Sequence, residues 1–241
     1  MNGPASAERG TPAGPRPEVV LRGTGLTKAF GETAVLDGAS VKIHAGEVVA
    51  VMGPSGSGKS TLLHCLAGIV APDSGTVEYA GADVWGLPDD RRSALRRRDF
   101  GFVFQFGQLV PELTCLENVS LPLRLAGLGR RKSEAVAREW LDRLEVTDVA
   151  AQRPAAVSGG QGQRVAVARA LVTSPRVVFA DEPTGALDSL SGERVLELLV
   201  SAAEVTGAAV VLVTHEPRVA AYSDREVVVR DGRIRALEPS R

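Results

Sequence analysis

Aromatic side chains make up only 4% of this 241-residue chain, too few for a platform that stacks single-stranded bases. The formal net charge of −1 supplies no basic field to gather a phosphate backbone. Together the two scarcities argue against nucleic acid as a partner. There are two cysteines, Cys65 and Cys115; their separation fits no metal-binding spacing, and both read as reduced core residues. No apolar run approaches the roughly 20 residues that span a bilayer. The longest, GAAVVLVT from Gly207, is strand-sized. The first residues, MNGPASAERGTPAGPRPE, lack the apolar centre of a signal peptide. From their Pro/Gly/Ala content, residues 1–18 read as a disordered tail. These absences place the chain in the cytoplasm unless a partner holds it at a membrane. Nothing repeats at a period of 20 to 50 residues.

What is present is ordinary for a soluble globular protein, with 44% hydrophobic and 24% charged residues. Regular pattern begins near Val19. VVLRGTGLTKAF, ASVKIHAGEVVAVMG and GTVEYAGADVWG are β-rich and broken by glycines, which predicts strands of a mixed sheet. GKSTLLHCLAGI follows a strand directly and has helical apolar spacing, closed by a glycine and Pro72. From about 106 to 157 the texture is helical and reads as an insertion. Its clearest amphipathic helix is SEAVAREWLDRLEV, with Ser133 as the expected cap. Strand, helix, strand and a hairpin turned by Asp231-Gly232 complete the chain. Strands that alternate with helices and are uniformly apolar predict an α/β fold, parallel at its centre.

GPSGSGKST, residues 53–61, fits the phosphate-loop pattern through Gly53, Gly58, Lys59 and Ser60, and lies between a strand and a helix. Glycines at Gly53, Gly56 and Gly58 let the backbone wrap closely, so that its amides turn inward to an anion. Pro54, Ser55, Ser57 and Thr61 complete the stretch. Lys59 is placed to reach terminal phosphates, and the Ser60 hydroxyl to ligate Mg²⁺. Such a loop alone leaves kinase, GTPase and ATPase open. VVFADEP then puts Asp181 at a strand end, where it can hold Mg²⁺, with Glu182 beside it to polarise a water. No guanine-reading N-K-x-D follows, which disfavours GTPase. A second helix start, PAAVSGGQGQRVAVARAL at 154–171, again offers open amides and a positive dipole end to an anion.

With SGGQ between those two motifs, the chain resembles the ATP-binding subunits of ABC transporters, over nearly everything from Val19 to Leu237. The resemblance implies a P-loop NTPase (RecA-like) core with an antiparallel β subdomain and an inserted α-helical subdomain, all within 19–241. It implies that Ser158, Gly159, Gly160 and Gln161 contact the γ-phosphate held by a second ATPase subunit, in a head-to-tail dimer that buries two nucleotides. It assigns Gln105 to Mg²⁺ and the attacking water, Asp188 to the dimer interface, and His215 to the γ-phosphate. Phe30 falls where the family places an adenine-stacking aromatic; the alternative is a core ring. His44 and His64 have no such context and read as structural. Two positions depart from the family: Gly162, where a bulkier residue is usual, and Val157 in place of leucine. Glycine in a first helical turn costs about 1 kcal/mol relative to alanine.

GFVFQFGQLVPELTCLENVSLPLRLAG, DEPTGALDS and THEPRVAAYSDREVVVRDGRI look like the ATPases of macrolide export, lipoprotein release and antimicrobial-peptide resistance. That likeness implies a separate membrane permease and a peripheral position on the inner face of the cell membrane. The few residues after the last hairpin are expected to leave no room for the C-terminal regulatory domain of many sugar-import ATPases. The permease is expected on the insert, where Leu109, Val110, Leu113 and Leu116 offer apolar surface; the alternative is that they form the insert's own core. Arg96, Arg97 and Arg98 read as a solvated helix face, with anionic lipid as the other option. The rival functions are a soluble ABC-type ATPase of repair, translation or cluster assembly, and an ATP-dependent regulator of a membrane sensor.

Overall fold

The computed structural model describes residues 18–236; the tail read at 1–18 lies outside them apart from Glu18, as do residues 237–241. β3 (Val48–Met52), β7 (Val177–Asp181) and β8 (Ala209–Val213) are apolar along nearly their whole length and buried on both faces. Such strands belong inside a parallel sheet. With β6 (Phe100–Phe104), β9 (Arg225–Arg230) and β10 (Arg233–Ala236) they form six strands in the order β10-β9-β3-β8-β7-β6. All neighbours are parallel except β9 and β10, whose hairpin turns through Asp231 and Gly232 at φ 51° and 72°. Two successive left-handed residues are what a two-residue turn of this kind requires.

The early strands do not join that sheet. β1 (Val19–Phe30), β2 (Thr33–His44), β4 (Ser74–Tyr79) and β5 (Ala82–Asp83) pair antiparallel as β2-β1-β4-β5. The glycine-broken strands read locally as part of a mixed sheet thus form a sheet of their own, the antiparallel β subdomain that the family resemblance implies. In β2 the cause is visible: Ala39, Val41 and Ile43 are buried while Ser40 and Lys42 are exposed. That period-two pattern suits a sheet with one wet face.

α1 (Lys59–Leu66) lies between the two sheets and shares a core with Leu21, Leu26, Val49, Val211 and Phe179. The other face of the parallel sheet is covered by α3 (Cys115–Leu125), α4 (Arg130–Arg143), α5 (Gly159–Leu171) and α6 (Ser189–Thr206). There Val48, Val178, Val210 and Leu212 meet Leu116, Trp140, Leu141 and Leu171. Successive residues of one strand thus serve opposite cores, so slipping a register by one would exchange them. α2 (Asp89–Asp99) and the short α7 (Pro217–Ala220) add one buried side chain each to these cores, Leu95 to the first and Val219 to the second. Both cysteines are free and buried, and burial pushes the Cys65 thiol up to about 11.

Ser133 is not the cap of its helix. α4 begins three residues earlier, with Gly129 as N-cap, because Arg130, Arg131 and Lys132 are good helix formers and continue it backwards. Ser133 is fully buried, and its hydroxyl donates to the Arg130 carbonyl at 2.9 Å. The adjoining α3 has a side-chain cap: Thr114 and Glu117 make a reciprocal capping box.

Candidate active site

Register brings the site together. Val51 pairs with Val213, Val213 with Asp181, and Asp181 with Phe104. The segments after β3, β8, β7 and β6 therefore leave the sheet side by side at its carboxyl edge, where α/β folds bind ligands.

The loop from Gly53 to Gly58 joins β3 to α1. Gly58 caps the helix at φ 103°, and a Cβ there would fall 2.5 Å from the Val35 carbonyl oxygen. At Gly53 the corresponding distance is 2.3 Å, to the Val229 oxygen. Neither position admits a side chain without moving backbone. Lys59 is buried, and its ammonium points back into the loop, donating to the carbonyls of Gly53 at 3.0 Å and Pro54 at 2.9 Å. Ser57 Oγ is buried with no hydrogen-bond partner among the described residues. An inward cation, an unpartnered hydroxyl and an open helix start make a cradle fit for a polyphosphate.

Ser60 Oγ donates to Asp181 Oδ1 at 3.1 Å. Burial pushes the Asp181 carboxyl above its ordinary value, and the Ser60 bond only partly offsets it. A half-buried carboxylate beside a hydroxyl suits a hard cation that takes its remaining ligands from phosphate and water. No group of three His, Cys, Asp or Glu side chains gathers for a metal among the described residues. Mg²⁺ asks for only one or two carboxylates, so the residues fit that ion.

Glu182 sits at φ 46°, a left-handed conformation unusual outside glycine, and its amide donates to the Val213 carbonyl at 2.9 Å. Its Oε1 lies 3.0 Å from His215 Nδ1. Gln105 reaches the same place: a Cβ on Gly185 would be 2.8 Å from Gln105 Nε2 and 3.3 Å from Glu182 Oε2. Gln105, Glu182 and His215, distant in sequence, thus form one cluster above the strand ends.

Phe30, at the end of β1, is 53% exposed, which removes the core-ring alternative. Lys28, given no role by the sequence, holds this corner. Its Nζ lies 5.5 Å from the Phe30 centroid and donates to Asp73 Oδ1 at 2.8 Å, while Asp73 Oδ2 accepts from the Ala29 amide at 2.7 Å.

Ser158 caps α5. Its Oγ accepts from the Gln161 amide at 3.2 Å, and Gln161 Oε1 accepts from the Ser158 amide at 3.0 Å. The serine hydroxyl proton and the first-turn amides of Gly159 and Gly160 are left to serve an anion. These glycines pack on the Asp188 segment: a Cβ on Gly159 would be 3.3 Å from Leu187 Cδ2, and one on Gly160 would be 3.2 Å from Ser191 Cβ. Asp188 itself caps α6, accepting from the Ser191 amide at 3.0 Å. None of these bonds reaches the phosphate loop of the same chain.

A groove of about 550 Å³ opens between α2, β6, α3 and α5. Ile69, Phe102, Phe104, Leu121, Pro122 and Leu125 line it, with Ile69 and Leu125 largely exposed. The leucines expected to offer apolar surface mostly turn inward: Leu116 is core, and Leu109 packs against it. Of the three arginines expected on a solvated face, Arg97 and Arg98 are exposed, Arg98 pairing with Asp99, while Arg96 turns to donate to the Gly68 carbonyl at 2.6 Å.

The ABC transporter sequence family matches residues 36–185. The lipoprotein-releasing system ATP-binding protein LolD of Ruegeria pomeroyi is 46% identical over 224 residues, covering 91% of this chain and 98% of that one. The chain belongs to the ABC transporter family. It is an ATP-binding and ATP-hydrolysing subunit that drives a membrane permease. The macrolide export ATP-binding/permease protein MacB of Salmonella typhimurium is 48% identical over 203 residues, 84% of this chain but 31% of that larger one. Among solved structures, the dimeric post-hydrolysis state of the ATP-binding cassette MJ0796 bound to ADP and Pi superposes with a TM-score of 0.82 at 38% identity. The match spans 91% of this ABC ATPase and all of that chain. Among the described residues no helix is long and apolar enough to cross a membrane.

Proposed function

We propose that residues 19–241 form one ABC ATPase domain with a helical insert at 106–157, and that two copies, or this chain and a homologue, close head to tail around two ATP molecules. The observation that carries this reading is the second anion site. Ser158, Gly159 and Gly160 start a helix with open amides, yet their contacts run to Gln161, Leu187 and Ser191 and not to their own phosphate loop. Their anion then comes from the facing chain, whose Gly53–Thr61 loop holds the nucleotide. Asp188, beside them, lines the same interface.

In each site Phe30 stacks on the base, and the loop amides with Lys59 hold the phosphates. Ser60, Asp181 and Gln105 would hold Mg²⁺, which supplies charge neutralisation on the phosphates when bound. Glu182 accepts the proton of the attacking water. His215, 3.0 Å away, orients that carboxylate and reaches toward the γ-phosphate. Gln105 positions the water from the opposite side.

The groove flanked by Leu121, Leu125 and Ile69 takes a short apolar segment of the permease, which holds the chain peripherally on the inner face of the membrane. The likeness to LolD and MacB supports a permease of the lipoprotein-release or macrolide-export kind. Leu125→Arg places a charge in the groove. It should reduce recovery of the subunit with its permease from solubilised membranes and abolish permease-dependent ATPase stimulation. Full recovery with full stimulation would place the docking surface elsewhere.

A further inference from the structure

α5 starts at Ser158 and runs under the loop that carries Gln105. One turn into it, Gln163 is 3% exposed, and its Nε2 donates to the Phe104 carbonyl at 2.8 Å. That carbonyl belongs to the peptide immediately before Gln105. Two turns further, the Arg169 guanidinium donates to the Gln108 carbonyl at 2.8 Å and the Gly107 carbonyl at 2.7 Å. Both ends of the turn from 104 to 108 are thus pinned by side chains of one helix.

The turn is built to be held there. Gly107 and Gln108 are both left-handed, at φ 67° and 45°, and the turn closes through Gly107 N to Phe104 O at 3.0 Å. A Cβ on Gly107 would stand 3.3 Å from Gln163 Oε1 and 3.6 Å from Ala166 Cβ, so the backbone lies directly on α5. Among the described residues no carboxylate pairs with Arg169, and burial pushes its guanidinium below the ordinary value. A half-buried cation compensated only by two carbonyls is costly, and an apolar side chain would fill the space without that cost. Because both anchors grip backbone carbonyls, they fix the path of the loop whatever its side chains do.

We infer that Gln163 and Arg169 are positioning residues that bind the Gln105 loop to α5, so that Gln105 and Ser158 move as one body. This rests on the roles proposed above for those two residues. Gln105 works beside Glu182 of its own chain, whereas Ser158 serves the nucleotide of the facing chain. The 11 residue steps from Ser158 to Arg169, about 16 Å at 1.5 Å per residue, therefore form a lever between the two ATP sites. A subunit whose Ser158 is engaged holds its own Gln105 in place.

A kinetic double-mutant cycle on the full chain tests this. Arg169→Met should lower kcat on the order of 10- to 100-fold, the penalty of a displaced positioning group. KM for ATP should stay unchanged, since the phosphate loop is untouched. Arg169→Lys, which keeps a donor for one carbonyl, should recover part of the rate. Combined with Gln105→Ala, Arg169→Met should add nothing further, because the residue it positions is gone. Gln163→Leu should behave in the same way and substitutes for Arg169→Met if that variant folds poorly. If the two losses multiply in the double variant while Gln105→Ala alone is slow, the brace is refuted and the role of Gln105 stands. If Gln105→Ala hydrolyses ATP at the wild-type rate, the role of Gln105 falls and takes the brace with it.

Discussion

Replacing Glu182 by glutamine keeps the shape of the side chain and removes its ability to accept a proton. The backbone at this position is held by the amide bond to the Val213 carbonyl, which the substitution does not touch. The left-handed φ of 46° is no harder for glutamine than for glutamate. The amide can still meet His215 Nδ1, now 3.0 Å from Oε1. Fold and nucleotide binding should therefore survive, because the groups proposed to hold the phosphates (Lys59, Ser57 and the loop amides) are elsewhere. What is lost is the proposed general base, a role that typically carries 10²–10⁴ in rate, or about 2.7–5.4 kcal/mol of barrier at 1.36 kcal/mol per tenfold. Single-turnover phosphate release at saturating ATP reads that loss directly, and fluorescent-nucleotide titration reads the unchanged binding. Glu182→Asp, one methylene shorter, should fall between the two. Hydrolysis by Glu182→Gln at the wild-type rate would refute the assignment of Glu182.

Gly162→Ala should stabilise the chain by about 1 kcal/mol, since alanine is the better helix former and the added Cβ would lie 3.7 Å from Val157 Cγ2, an ordinary contact. For a chain of this size that is a rise of about 2–4 °C in Tm; a fall in thermal unfolding by circular dichroism would show a constraint on Gly162 that the packing does not contain. The Lys28 ammonium and the Ala29 amide hold the Asp73 carboxyl below its ordinary value. A lowered folded pKa contributes stability that is present above the unfolded value of about 3.9 and lost as pH falls through the folded one. Asp73→Asn should therefore lower Tm at pH 7 and flatten its decline below pH 4; parallel Tm curves for the two proteins would remove the pair from the account.

Local chemistry made much of this site legible. Glycine spacing, a preceding apolar strand and a following helix identify the loop at 53–61, and a polar residue closing an apolar run marks Asp181. Asp231-Gly232 names its own hairpin. What stayed hidden depends on contacts distant in sequence. β1 and β2 look like any glycine-broken strands, and only the antiparallel pairing of β1 with β2 and with β4 separates them from the parallel sheet. Lys28 and Asp73 stand 45 residues apart. Whether Leu109 and Leu116 are surface or insert core stayed open, because the packing that covers them cannot be placed from a local pattern. Arg169, a polar side chain amid AVARAL, meets its carbonyl partners 61 and 62 residues away in sequence. Ser133 misled for a different reason: serine suits a cap, and equally a buried turn where its hydroxyl bonds back to the helix.

The central claim is that ATP closes two chains on each other through Ser158. Sedimentation of the Glu182→Gln chain tests it most directly. Without nucleotide it should run at the monomer mass of 25.3 kDa; with ATP it should run at twice that mass. Adding Ser158→Arg should leave ATP bound to a species that stays monomeric. An ATP-dependent dimer that survives Ser158→Arg, or loss of ATP binding by the monomer itself, would contradict the account.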